Sequence, residues 1–213
     1  MATGSDKGRA ASAVSTLWAA LLVIAAVCIL AEHLYPHFPG DVLAEKKVQS
    51  LCHGDLSWAR TVSNTAESPW LFIILALVAA ASWGLAGWPA ALLSILSLAG
   101  MLALGSWLGP VIGRPRPSPD LVRVVRPFPG YSFPSLFALR YAATFGFLAI
   151  IALMKDRGVL RVIVSILCAG LLILGWFARV ALAAHWPSDV IVSYYLGLLW
   201  AAILARVGKR YLT

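Results

Sequence analysis

Long apolar runs separated by short polar segments recur along the whole chain. Six runs are long enough to cross a bilayer as helices, because a hydrocarbon core needs about 20 helical residues per crossing. They are Ala13–Ala31, Pro69–Leu85, Pro89–Ile112, Pro134–Met154, Val159–Ala178 and Ser188–Ala205. The pattern predicts an all-α fold: a polytopic membrane bundle of six transmembrane helices. It forms a single domain over 13–205, between a cytoplasmic tail at 1–12 and a basic cytoplasmic tail at 206–213.

The composition supports this interpretation. Hydrophobic residues make up 61% of the 213 positions and charged residues only 12%, which excludes both an ordinary soluble domain and a disordered chain. Prolines near the predicted helix starts and tryptophans near the predicted ends fit helix initiation and an interfacial aromatic belt. The first run also has one alternative, a cleaved signal peptide, because Lys7 and Arg9 precede it.

The net charge is +8. In a membrane protein such an excess of Lys and Arg is typical of the segments that flank the helices and of loops that face phosphate groups, so we predict no nucleic-acid partner. The three cysteines are isolated, and His33, His37 and His53 lie in a first outer loop that Pro36 interrupts. We therefore predict a solvated or interfacial loop there, with no metal and no cofactor. The oligomeric state stays open.

The orientation of the bundle follows from its charged loops. Basic residues tie at eight on each side of the predicted membrane, but the first outer loop holds five acids against three bases. We therefore expect a cytoplasmic N-terminus in the bacterial inner membrane. The chemistry-bearing loops then lie on the extracytoplasmic face.

Three polar stretches border the helices on that face: 113–117, 131–135 and 179–189. Clustered arginines beside a membrane are costly unless they meet an anionic ligand. Ser135 stands in a first helical turn, which favours phosphate. Asp189 follows His185 by four residues and is expected to hold one nitrogen of its ring, as in catalytic triads, leaving a nucleophilic imidazole. The alternatives are a plain basic loop, a serine N-cap and an interfacial His–Asp pair.

These stretches resemble the three motifs of the type 2 phosphatidic acid phosphatase and vanadium haloperoxidase superfamily, whose membrane members are six-helix lipid phosphatases. Arg116-Pro117 matches the end of the first motif, Pro134-Ser135 the start of the second, and Arg179, His185 and Asp189 the third. The resemblance implies that Arg116, Ser135 and Arg179 bind the phosphoryl oxygens. It also implies that His185 attacks phosphorus and that Asp189 orients it.

Two family side chains are missing. Gly109 stands where the first motif has lysine, and Leu136-Phe137 replaces the Gly-His of the second. Without the acid of that histidine, a lipid diphosphate, such as a polyprenyl diphosphate, is the expected substrate in preference to a monoester. Arg114 and Arg140 are candidates to compensate for the lost charge. The alternative is a catalytically impaired relative that binds a lipid phosphate or serves as a membrane scaffold.

Overall fold

The computed structural model describes residues 4–154 and 158–212, with side chains from residue 13 onward. Four basic residues that the orientation argument used fall outside the described side chains: Lys7, Arg9, Lys155 and Arg157. All regular structure in the described part is helical, which confirms the all-α prediction. The α-helices are α1 (Gly4–Leu34), α2 (Asp41–Leu51), α3 (Ser57–Asn64), α4 (Trp70–Ala86), α5 (Trp88–Ile112), α6 (Leu136–Tyr141), α7 (Phe147–Leu153), α8 (Val159–Ala181) and α9 (Pro187–Gly208).

Six helical segments correspond to the six predicted crossings. Five of them are long and apolar enough to span a bilayer by length and composition, and α4 is a shorter apolar helix of 17 residues. About 17 residues is the lower end of the range for a spanning helix. The described chain is therefore a bundle of five long membrane helices and one short one.

The fourth crossing is made of three pieces. A π-helical turn at Ala142–Gly146 joins α6 to α7, and the whole segment runs from Leu136 to Leu153. Gly197 of α9 packs against this turn so closely that a Cβ on it would lie 2.5 Å from the Ala142 Cβ. This tight contact fixes α9 against the segment that follows the second motif.

The first outer loop differs from its prediction. It contains two helices, α2 and α3, which pack against α8, and α2 also contacts α9. Asp41, Glu45 and Gln49 repeat every four residues, so they share one face of α2, and that face is buried. His33 and His53 are exposed, in keeping with the predicted solvated or interfacial loop, but the loop is largely helical and this polar face of α2 turns toward the protein.

Backbone contacts bring the three polar stretches to one end of the bundle. The His33 ring at the end of α1 lies 3.2 Å from the Ile112 carbonyl at the end of α5. The Ser132 amide donates to the Arg114 carbonyl at 2.8 Å, which joins the first stretch to the second. The loops that follow α5 and α8 therefore meet beside the start of α9.

Candidate active site

A cavity of about 490 Å³ opens at this end of the bundle. Its wall comes from the end of α3, the last turns of α5, the loop between α5 and α6, the start of α6, and the loop after α8. Five titratable or cationic side chains other than tyrosine line it: Glu67, Arg116, Arg126, Arg179 and His185. Three arginines against one glutamate make the wall cationic, which suits an anionic ligand.

His185 is 2% exposed, and its Nδ1 lies 2.5 Å from the Ser132 carbonyl oxygen. Because a carbonyl only accepts hydrogen bonds, the neutral ring carries its proton on Nδ1, and Nε2 keeps an unprotonated electron pair that can accept from a nearby N–H group. Nε2 lies 3.5 Å from Nη1 of Arg116. Burial, and then the charges of Arg179 and Arg116, lower the pKa of His185 well below 6.5. The imidazole is therefore neutral and able to act as a nucleophile.

Asp189 does not hold the ring of His185, and that prediction was wrong. Its Oδ2 accepts the Trp186 amide at 2.8 Å and the Ser132 hydroxyl, while Oδ1 accepts from Arg114. The carboxylate turns back to cap the first turn of α9, so a different acceptor must meet the ring. Ser132 links the two groups, since its hydroxyl donates to Asp189 and its carbonyl accepts from His185.

Arg114 is a buried structural arginine, which corrects its predicted compensating role. Its guanidinium pairs with Glu32 of α1, Asp41 of α2 and Asp189 of α9, and its Nε donates to the Tyr35 carbonyl at 3.1 Å. It does not line the cavity. Carboxylates from three helices compete for its charge, so it ties the helix ends together behind the cavity.

Arg140 also binds groups outside the predicted phosphate site. Its Nη1 donates to the Ala66 carbonyl at 2.7 Å and to Oε1 of Glu67 at 2.8 Å. Glu67 lines the cavity but Arg140 does not. The expected compensation by Arg140 is not seen, because its position on α6 directs the guanidinium toward the end of α3.

Ser135 is also placed differently from the expected phosphate ligand. It is fully buried and lies outside the cavity wall. Its Oγ accepts the Ala138 amide at 3.4 Å, and its own amide donates to the Ser193 hydroxyl at 2.8 Å. Ser135 is therefore the N-cap of α6, the alternative that its position also allowed.

Arg116 and Arg179 both line the cavity, but their hydrogen bonding differs. Arg116 donates to the carbonyls of Pro129, Gly130 and Ala184, so most of its N–H groups hold the loop. Arg179 is 8% exposed, its Nε has no hydrogen-bond partner in the described part of the chain, and its guanidinium lies against the rings of Phe128 and Phe137 rather than against a carboxylate. A buried guanidinium that no carboxylate neutralises is suited to binding an anion.

The two departures from the family motifs also face this cavity. Phe137 is 3% exposed, and its ring packs 4.1 Å from that of Tyr141 and 5.4 Å from the guanidinium carbon of Arg179. This ring has no proton to give. A Cβ on Gly109 would meet nothing nearer than 3.7 Å, from Tyr131, so the wall there has room for a side chain.

Sequence reasoning assigned no role to three residues that the structure places at this site. Ser132 lies in the second polar stretch and contacts both His185 and Asp189. Phe128 and Arg126 lie in a loop whose sequence has no helical or strand periodicity. Only their aromatic and cationic side chains could have suggested that they line a site for an anion. Among the described side chains, no three His, Cys, Asp or Glu residues are arranged as ligands for a metal ion.

Comparisons with known proteins agree with this fold. A family described as the PAP2 superfamily has a model that matches residues 90–211. The fold is similar to a crystal structure of a transmembrane PAP2 type phosphatidylglycerolphosphate phosphatase from Bacillus subtilis, with a TM-score of 0.70 and 18% identity. The alignment covers 91% of this chain and 96% of that one. No curated protein sequence matches at a significant level.

Proposed function

This chain belongs to the PAP2 superfamily, and from that premise we propose that it is an integral membrane lipid phosphatase that prefers a lipid diphosphate and forms a phosphohistidine at His185. One observation carries the proposal: among the described residues the buried guanidinium of Arg179 forms no ion pair and its Nε has no hydrogen-bond partner, and it lines the same cavity as a neutral imidazole. A phosphoryl group supplies both the missing anion and an electrophile for Nε2.

The proposed reaction has two steps. Arg179 and the remaining N–H groups of Arg116 bind the phosphoryl oxygens, and Nε2 of His185 attacks phosphorus. The bond from phosphorus to the leaving oxygen breaks, and its electron pair leaves with that oxygen. Water then attacks phosphorus and gives up a proton to the solvent. The N–P bond breaks, its electron pair returns to Nε2, and inorganic phosphate departs. Asp189 acts as a positioning residue through Ser132.

The leaving group decides the substrate preference. A lipid monoester expels an alkoxide, which needs a proton, whereas a diphosphate expels a lipid phosphate, which leaves without one. Phe137 offers no proton at the position of the family histidine. General acid catalysis contributes on the order of 10²–10⁴ in rate, so its loss penalises monoesters most.

The direct test measures phosphate release by the purified protein in detergent from a polyprenyl diphosphate and from phosphatidic acid. We expect faster turnover of the diphosphate and loss of both activities in His185→Asn. Acid-labile phosphate trapped on the wild type, but not on the variant, would support the covalent step. Faster turnover of the monoester would reject the preference, and activity in His185→Asn would reject the nucleophile.

Phe137→His tests the account of the preference. If a missing acid limits monoester hydrolysis, this variant should raise the rate on phosphatidic acid by about 10-fold or more, with a smaller change on the diphosphate. Phe137→Leu is the matched control, since it changes the ring without adding a proton donor. Equal effects of both substitutions would show that packing beside Arg179, not acid catalysis, sets the rate.

A binding protein is the second candidate, and the same Phe137 and Gly109 positions favour it, because both lack the family's polar groups. A protein of this kind would bind lipid phosphate through Arg179 without hydrolysing it. Phosphate binding that persists in His185→Asn, together with no turnover by the wild type, would support it. For either function, we propose that the cavity faces the extracytoplasmic side of a bacterial inner membrane and takes its ligand from the bilayer.

A further inference from the structure

A third arginine reaches the cavity from outside the three motifs. Arg126 lies in the loop between α5 and α6 and is exposed, and it lines the cavity with Arg116 and Arg179. No hydrogen bond or ion pair to its side chain exists among the described residues. Its cationic group is therefore available to a ligand.

The guanidinium groups of all three arginines lie near one aromatic ring, that of Phe128. The guanidinium carbons of Arg126, Arg179 and Arg116 lie 4.8, 5.1 and 5.7 Å from the centre of the Phe128 ring. A cation over an aromatic face gains electrostatic attraction from the negative face of the ring. That gain competes with the mutual repulsion of three like charges, which an anion of high charge removes. The arrangement suits a ligand with two linked phosphoryl groups.

The depth of the three arginines differs. Arg179 is buried and Arg116 is half-buried beside His185, whereas Arg126 is exposed. A phosphoryl group held by the two deeper arginines lies within reach of Nε2, and a second phosphoryl group then lies toward the exposed side of the cavity. Its charge grows as the bond to the attacked phosphorus breaks.

Resting on the proposed function, we infer that Arg126 binds the second phosphoryl group of a lipid diphosphate, and that Phe128 positions it there. Arg126 thereby stabilises the leaving lipid phosphate and takes the place of the proton that Phe137 does not supply. Gly109 lines the same cavity and supplies no cation, so Arg126 is the residue to which we assign the selectivity for a diphosphate. A monoester has no group in this position and does not use Arg126.

Substituting Arg126 by Gln tests this selectivity. We expect kcat/KM for a polyprenyl diphosphate to fall by about 10-fold or more, because a charge-assisted hydrogen bond is lost. For the monophosphate of the same lipid the change should stay below about twofold. Arg123→Gln is the matched control: this exposed arginine lies in the same loop, outside the cavity, and only its backbone pairs with Gln49. It should leave both substrates unaffected.

Equal losses on both substrates in Arg126→Gln, or no loss on either, would overturn the inference. Binding separates it from the proposed function. Titration of the purified protein with inorganic pyrophosphate and with inorganic phosphate should show weaker pyrophosphate binding in Arg126→Gln and unchanged phosphate binding. If the wild type hydrolyses neither lipid, the proposed phosphatase fails, and this titration still decides the role of Arg126.

Discussion

The tautomer of His185 is set by a backbone carbonyl rather than by a carboxylate. Its Nδ1–H donates to Ser132, and its other nitrogen faces Arg116. Nε2 carries the unprotonated electron pair, but it binds a proton weakly. Burial and the charges of two arginines oppose the charged ring and lower its pKa. A neutral imidazole and the buried guanidinium of Arg179 therefore line the same cavity.

This environment predicts an imidazole that stays neutral in mild acid. A folded-state pKa below the ordinary value means that His185 gains its proton only as the pH falls well under 6.5. Nuclear magnetic resonance of protein labelled at its four histidines should show one ring with the Nδ1–H tautomer at pH 6. His185→Asn identifies that signal by its loss. A His185 signal that titrates at or above pH 6.5 would contradict the assignment.

At the scale of elements, α2 presents carboxylates to the interior of the protein. Asp41 accepts from the Ser188 amide at 3.0 Å and pairs with Arg114, which holds α2 against α9. Glu45, one turn further along, is fully buried, and neither of its carboxylate oxygens has a hydrogen-bond partner in the described chain. Burial, and then the charges of Asp41 and Asp189, raise the pKa of Glu45 to about 9.

Glu45→Gln should therefore change how stability depends on pH. The folded protein keeps a proton on Glu45 up to about pH 9, whereas the unfolded chain releases it from about pH 4.5 upward. The free energy of unfolding of the wild type therefore falls as the pH rises from 4.5 toward 9. The amide stays neutral, and at pH 7 it should raise the free energy of unfolding by on the order of 3 kcal/mol.

Thermal unfolding in detergent at pH 5, 7 and 9 measures this effect of Glu45. The variant should gain little at pH 5 and most at pH 9. Lys46→Gln, on the exposed side of the same helix, is the control and should follow the wild type. A Glu45→Gln protein whose unfolding temperature parallels the wild type at all three pH values would show that Glu45 is ionised in the fold.

At the scale of the whole molecule, helix ends from separate parts of the chain build a single site. Arg114 joins α1, α2 and α9 through three carboxylates, and the cavity lies against the other side of the Ser132 segment. Because α1 and α5 both end here while α9 begins here, the last residues of α9 lie at the opposite end. The orientation of the bundle in the membrane therefore decides on which side of the bilayer the whole cavity opens.

Labelling in intact cells tests that orientation. Without the three native cysteines, Lys46→Cys on α2 and Arg206→Cys near the end of α9 mark the two ends of the bundle. The acids of the first outer loop favour the outside for α2, so an impermeant maleimide should label Lys46→Cys in intact cells. Arg206→Cys should react only after permeabilisation. The opposite labelling would place the cavity on the cytoplasmic side.

The amino-acid sequence by itself determined the all-helical membrane bundle, because uninterrupted apolar length reports directly on the cost of burying backbone and side chains in lipid. It also determined that Arg116, Arg179 and His185 share one end, since alternating crossings place their loops on the same side. Residue type and spacing were enough for these inferences. Helix α2 of the first outer loop carried no such signal, because three of its four buried residues, Asp41, Glu45 and Gln49, are polar.

Only the tertiary structure decided which partner each polar group takes. The spacing of His185 and Asp189 allowed a direct contact, but Ser132 comes between them from 53 residues away. Arg114 and Arg140 were eligible for the phosphate site, yet acids from distant segments of the chain bind them, while Arg126 has no hydrogen bond or ion pair within the described chain. Hydrogen bonds and ion pairs depend on distances between segments far apart in the chain, and local sequence does not encode those distances.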